Sequence, residues 1–527
     1  MVVFQPCDRN YSSWSWSDQL DHEHVEPVGQ KLLVGDSLLS NGHVKYSSPY
    51  RTSHTIPGVL VLDGSTYGRY GSRMLYKCIP HDSQLPTFVV PYALKTVEFS
   101  KHKLNRYVLF RFAEWEDKHP QGILTETIGT VDDLTAFYQY QIHARGLHHS
   151  VQPLAKHVKK GLPVTIDETA MEDRRTWDVF AIDPTDCSDF DDALGFRQLE
   201  DGRSLMSVYI ANVPVWLEAL SAWEHLGEQA ATIYFPDGKR SMLPSILSEK
   251  LCSLRAGEDK YVWAMDVELD DTTVREVRFT PCIVRIRRNY VYDEDDLKHD
   301  PMYRRLFETV RAIRADYPYV ESVRDSHDVV EFLMVMMNHE ASKLLYAAGR
   351  GIFRDVRITS TAPLEHDLLR IWRHTKGSYV VAGEHGGHQM MGLDTYVQIT
   401  SPIRRMFDLV NMVELAEVCG FVEGRSEARE GFVAQTVASL DRLNDTMKRI
   451  RAVQNDCVLL DYCQNRSSEE ALTAYTLDEE GALYIPELRT VVRFEGTDQA
   501  PYTEVKVRLH VFTDEATLWR KVRIQVV

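Results

Sequence analysis

The first sustained hydrophobic pattern begins near residue 46, where short β-branched and aromatic runs alternate with turn formers. GVLVLDG, RMLYKCI, PTFVVPY and RYVLFRF are each bounded by Gly, Pro, Asn or Asp, a rhythm that predicts strands of a small barrel of OB or cold-shock type. A helical stretch follows over 132–147, with Asp132 placed as N-cap and Gly146 near the end. WDVFAID and LMSVYIANV are strands at the start of a mixed central region. Its clearest helix is predicted over 327–348: Val329, Phe332, Leu333, Met336, Met337 and Leu344 recur at helical intervals, and Gly349 stops it. The methionines read as core. A second helix is predicted over 435–456, and ALYIPE, VVRFEG, EVKVRLHVF and KVRIQVV return the chain to β character. Before residue 46, Trp14, Trp16 and an Asp/His run have no sustained period. The expected class is therefore α+β, in four regions. These are 1–45, an arm or degenerate barrel; 46–165, OB or cold-shock-like; 166–455, mixed α/β; and 456–527, a closing OB-like barrel.

At 527 residues the chain is too long for one ordinary domain. No run approaches a membrane span, and the N-terminus resembles neither a signal nor a transit peptide, so no membrane partner is expected. Eight cysteines, none in a CxxC pair, fit reduced thiols in the cytoplasm or nucleus. A net charge of −17 argues against nucleic acid only weakly, because local charge governs a substrate channel and the exterior can be acidic for solubility.

FAIDPTDCSDFDDALGF carries the chemistry. A hydrophobic strand delivers Asp183, and Asp186, Asp189, Asp191 and Asp192 follow within ten residues. Like charges this close need a compensating cation or shifted pKa values. Hard oxygen donors on a tight loop suit Mg²⁺, with Mn²⁺ as a substitute, and two such ions can hydrolyse a phosphodiester. An EF-hand is excluded, since Thr185 and Cys187 stand where its third and fifth ligands belong and its Gly is absent. Taken alone, an acidic run is more commonly a solvated loop.

The spacing of those aspartates, with a strand before and Ala-Leu after, resembles the signature of the RNB domain of the ribonuclease II and ribonuclease R family. Five further segments match in order: VYIANV, YFPDGKRSMLPSILSEKLCSL, RRNYVYDE, EFLMVMMN and HQMMGLDTYVQITSPIRRMFDL. LYKCIPHDSQLPTFVVPY and FAEWEDKHPQGILTETIG resemble the second cold-shock barrel of the eukaryotic, exosome-associated branch, although too few residues precede them for that branch's PIN domain. The resemblance implies a 3′→5′ exoribonuclease that releases nucleoside 5′-monophosphates from single-stranded RNA by a two-metal mechanism. RNA-decay partners are not identifiable from it.

Residue by residue, the resemblance makes Asp183, Asp189, Asp191 and Asp192 the metal set, with Asp191 catalytically critical, and leaves Asp186 outside. Arg404 would stabilise charge on the scissile phosphate. Arg405 would support the SPIRR loop or the RNA backbone, and Tyr234 and Tyr292 would stack on bases near the 3′ end. Arg285 and Arg287, with Arg288, would line an RNA channel or face solvent. The chain departs from the pattern at Tyr209 and Asn212, where His and Asp are usual, at Met406 in place of Tyr, and at Lys448 near a Glu position. These departures motivate a second expectation, a weak or inactive RNA-binding scaffold. His385 and His388 lack a third ligand at useful spacing, so no zinc site is assigned.

Overall fold

The computed structural model describes residues 2–18, 25–52, 54–93, 103–317, 319–357, 377–384, 386–421, 426–465, 471–477, 481–494, 500, 503–514 and 518–527. Two compact units emerge, one of Met1–His148, Phe235–Gly238 and Arg449–Val527, the other of His149–Tyr234 and Lys239–Lys448. Among the described residues no helix is long and apolar enough to cross a membrane.

In the first unit the N-terminal region forms a small four-stranded sheet around Val2–Pro6. Its own core of Phe4, Tyr11, Trp16, Leu32 and Leu38 supplies the order that sequence periodicity did not reveal. Strands Ile56–Leu60, Thr66–Tyr70, Arg73–Pro80, Phe88–Tyr92, Arg106–Glu114 and Gln121–Thr130 build a six-stranded sheet over Phe88, Val90, Val108 and Phe110. The following helix, Leu134–Ala144, is shorter than expected. Its N-cap is Asp133 rather than Asp132: the Asp133 carboxylate accepts the Thr135 N–H at 3.0 Å. The C-terminal strands form a five-stranded antiparallel sheet that includes Leu472–Thr476, a strand absent from the sequence reading.

In the second unit, strands Glu172–Asp183, Asp192–Gln198, Ser204–Ala211, Asp259–Asp270 and Thr273–Val291 close into a barrel. Alternate residues, among them Phe180, Ile182, Leu194, Met206, Val208 and Trp263, pack with helices Pro301–Ile313 and Ser326–Ala347 in one core. Met336 and Met337 are fully buried in that core, as their spacing predicts. Leu344 is the exception at 39% exposure: it lies on the outer face of the helix, whereas Leu345 beside it is fully buried in the core. Gly349 follows at φ +66°, the left-handed conformation that ends a helix. The helix expected over 435–456 is instead two, Glu427–Ala438 and Leu440–Asn465. They break at Ser439, whose N–H bonds back to the Gln435 and Thr436 carbonyls.

The four departures each have a place in the structure. Asn212 caps helix Val213–Ala219 by accepting the Val215 N–H at 3.3 Å, work an Asp would also do. Tyr209 is buried against Gly195, where a Cβ would meet its ring at 3.2 Å, and close to Arg174. Met406 is a buried first residue of helix Met406–Val418. Lys448 pairs with Asp445 on the surface.

Candidate active site

Strand Glu172–Asp183 runs parallel to Thr273–Val291, with Asp183 opposite Val291, so Asp183 emerges at the strand's end one residue from Tyr292. The loop to the next strand is clamped by the LCSL segment. Phe190 N–H donates to Ser253 Oγ at 3.0 Å, Leu254 N–H donates to the Phe190 carbonyl at 3.0 Å, and Arg255 Nη2 donates to the Ser188 carbonyl at 3.1 Å. These bonds satisfy a tight loop's polar backbone and hold Asp189 and Asp191 inward, 8% and 3% exposed. Asp186 lies on the exposed side of the loop.

The SPIRR turn approaches from 213 residues away in sequence. Ser401 organises it: its N–H donates to Asp408 Oδ1 at 2.8 Å, and its hydroxyl accepts from Arg404 at 3.0 Å and from Arg405 at 3.1 Å. The Arg404 carbonyl accepts the Thr232 N–H, and Met406 N–H donates to the Ala230 carbonyl. Thus anchored, the turn directs two donors at one carboxylate. Ile403 N–H reaches Asp191 Oδ1 at 3.0 Å, and Arg404 Nε reaches Asp191 Oδ2 at 2.9 Å.

Burial raises the Asp183 carboxyl to about 7, helped by Asp191 and opposed by Cys187, whose thiol lies 3.5 Å from it. Burial raises Asp191 to about 6, with Arg404 and the Ile403 N–H working against the shift. Asp192 is pushed well above the carboxylate range by burial and then by Asp183 and Asp191. For Arg404, burial opposes the charge, but Asp191 and Tyr234 outweigh it and hold the guanidinium above its ordinary value.

Among the described residues no group of three or more His, Cys, Asp and Glu side chains is already set to hold a metal ion. The cluster's oxygens are engaged by cations of the chain: Asp191 by Arg404, and Asp189 Oδ1 by Lys239 Nζ at 2.6 Å. The donor set nevertheless suits a hard divalent cation. Asp183 Oδ2 and Asp189 Oδ2 are buried without a hydrogen-bond partner among the described residues, a costly arrangement that an added cation would relieve.

Raised carboxyl pKa values give a pH signature. A protonated form favoured by the fold contributes stability at low pH, and this is lost as pH rises from about 4, the unfolded value, toward about 7. Chelator-treated protein is therefore expected to melt about 3–5 °C lower at pH 7.5 than at pH 5. Asp183→Asn should remove a measurable part of that difference in thermal melts; an identical pH slope in the variant would refute the assignment.

The tyrosines converge on the same place. Tyr234, 41% exposed, lies beside Arg404, and burial raises its hydroxyl to about 12 while Arg404 opposes the shift. Tyr292 is half-buried, feels Asp192 and Asp183, and stacks on His327 with centroids 3.8 Å apart and planes 7° from parallel. Arg405 is committed to the turn, donating to buried Asp408 at 2.7 Å. Arg285 and Arg287 are not drawn into the cluster. Arg285 pairs with Asp259 at 2.6 Å, and Arg287 pairs with Asp178 and Asp300 at 2.5 and 2.6 Å. Their exposed positions flank buried Ile286 on the strand. His388 is buried against Tyr396, while His385 falls outside the described residues. Sequence reasoning missed Lys239 and His327, although Lys239 sits five residues after Tyr234 in the YFPDGKRSMLP segment.

The closed barrel thus carries four aspartates at one end, with an arginine turned onto one of them. Residues 171–300 match the RNB domain, and the chain is homologous to ribonuclease II and RRP44 exoribonucleases. It is 27% identical over 191 residues to Exosome complex exonuclease RRP44 of Homo sapiens, covering 35% of this chain and 20% of the relative. It is 25% identical over 365 residues to Exoribonuclease 2 of Aeromonas hydrophila, covering 55% of this chain and 54% of the relative. The chain thus spans about half the length of that bacterial relative and a fifth of RRP44. In fold it resembles Mycoplasma genitalium RNase R in complex with ribose-methylated single-stranded RNA, with TM-score 0.69 and 14% identity over 99% of this chain and 100% of that one. It also resembles yeast Ssd1, a pseudonuclease, with TM-score 0.58 and 15% identity over 89% of this chain and 68% of that one.

Proposed function

We propose that the chain is a divalent-metal-dependent 3′→5′ exoribonuclease that hydrolyses single-stranded RNA to nucleoside 5′-monophosphates. The observation that supports it is the convergence of Arg404 and the Ile403 N–H on Asp191 among the other buried carboxylates. Held by Asp183, Asp189, Asp191 and Asp192, one or two Mg²⁺ or Mn²⁺ ions would supply Lewis-acid polarisation of the phosphate and acidification of the attacking water. Arg404, planar and always protonated, neutralises and orients the scissile phosphate. Tyr234 and the Tyr292–His327 stack offer flat surfaces to the last bases, a contact that accepts any base. The 46–165 region adds affinity for single strands. Arg285 and Arg287 would join the RNA path only by exchanging their present carboxylate partners.

Incubation of 5′-labelled single-stranded RNA with Mg²⁺ should yield a ladder shrinking to a short end product, and 3′-labelled RNA should release labelled monophosphate from the outset. Intact RNA with both Mg²⁺ and Mn²⁺ would overturn the proposal. It would favour an inactive RNA-binding scaffold, the reading that likeness to a pseudonuclease keeps in view. Tyr234→Ala should raise KM about tenfold, as expected for losing one base stack of roughly 1–3 kcal/mol, and lengthen the end product; an unchanged product length would remove Tyr234 from the RNA path.

A further inference from the structure

Lys239 lies on the short strand Gly238–Arg240, and its ammonium enters the acidic cluster. Nζ donates to Asp189 Oδ1 and to Ser188 Oγ, each at 2.6 Å, and lies 3.5 Å from Glu249 Oε1. Its side chain is only 18% exposed and that of Asp189 only 7%, whereas Glu249, at 32%, is more open to solvent. Lys239 is thus a short, poorly hydrated partner of one of the four aspartates expected to hold metal. An ion pair in such surroundings is weakly screened, so it alters the local potential far more than a surface pair would.

We infer that Lys239 is a resident cation of the site, standing at Asp189 where a second divalent ion would otherwise be needed, so that the RNA-free chain takes up one divalent ion. Formal charge supports this. With all four ionised, as metal ligation requires, the aspartates face two cations of the chain, Arg404 on Asp191 and Lys239 on Asp189, leaving two negative charges for one divalent ion to balance. The positions of the free oxygens agree. Asp189 Oδ1 is engaged by Lys239, while Asp189 Oδ2 and Asp183 Oδ2 are the buried, unpartnered acceptors among the described residues of the cluster. Lys239 also fixes which oxygen of Asp189 is presented, which makes it a positioning residue. Its compact ammonium suits this place, since a planar guanidinium would reach past a single carboxylate oxygen.

The inference rests on the metal-dependent reading above, and its test is separable from turnover. Full-length, chelator-stripped protein is titrated with Mn²⁺ in the absence of RNA, with free Mn²⁺ followed by electron paramagnetic resonance. Wild type should bind one equivalent, and Asp183→Asn should abolish that binding and so locate it. Lys239→Gln should bind Mn²⁺ at least tenfold more tightly or take up a second equivalent, because a positive charge has left the cluster. Lys239→Arg should stay nearer to wild type than Lys239→Gln. Two equivalents in wild type would overturn the inference without recourse to any variant. Unchanged or weaker binding in Lys239→Gln would also overturn it, leaving Lys239 a scaffold contact. If wild type binds one equivalent yet leaves RNA intact, the exonuclease reading fails while the role of Lys239 stands.

Discussion

Asp191→Asn is expected to lower single-turnover cleavage of single-stranded RNA by about a thousandfold while leaving RNA affinity undiminished. Both oxygens of Asp191 have assigned donors, Ile403 N–H at 3.0 Å and Arg404 Nε at 2.9 Å. An asparagine can keep its carbonyl oxygen on the Ile403 N–H, but its amide NH₂ then faces Arg404, donor against donor. The substitution removes a negative charge and a metal donor, and it releases the guanidinium from its orienting partner. Phosphate and base contacts elsewhere are untouched, so gel-shift or anisotropy binding should hold or tighten. A variant that retains a tenth of wild-type cleavage would remove Asp191 from the catalytic group; one that loses RNA binding and cleavage together would indicate disrupted folding.

Arg404→Lys should reduce kcat about a hundredfold or more with little change in KM, because an ammonium cannot serve Asp191, Ser401 and a phosphate in the same plane. Arg404 now spans the first two through Nε and Nη2. The Asp191→Asn, Arg404→Lys double variant should be far less impaired than the product of the single losses, since each removes the same working unit. Multiplicative losses in steady-state kinetics would show that the two act independently. A rise in KM with kcat preserved would recast Arg404 as a residue that only binds RNA.

Much of this candidate site is legible in the sequence. The aspartates sit where a hydrophobic strand ends, and a strand end followed by a tight loop needs few long-range contacts to be recognised. The helix Ser326–Ala347 was readable for a similar reason, as its buried face repeats at the helical period and a left-handed Gly349 closes it. The N-terminal sheet was not, because its strands are two to five residues long and draw their order from a few scattered residues, Phe4, Trp16 and Leu38 among them. Local signals also slipped by a residue or two at helix ends: Asp133 took the cap from its neighbour, and Ser439 divided one predicted helix into two.

Sequence by itself determined the chemistry on offer: which carboxylates stand together, in what spacing, and that an Arg pair follows Ser-Pro far downstream. Charge partners were decided only by tertiary structure, because an ion pair depends on distances that the chain order does not encode. Arg404 was turned onto Asp191, while Arg405 was spent on Asp408 within the turn. Arg285 and Arg287, basic and regularly spaced, were drawn to Asp259, Asp178 and Asp300 instead of the cluster. Lys239 was carried by a short hairpin into the cluster, where it holds Asp189.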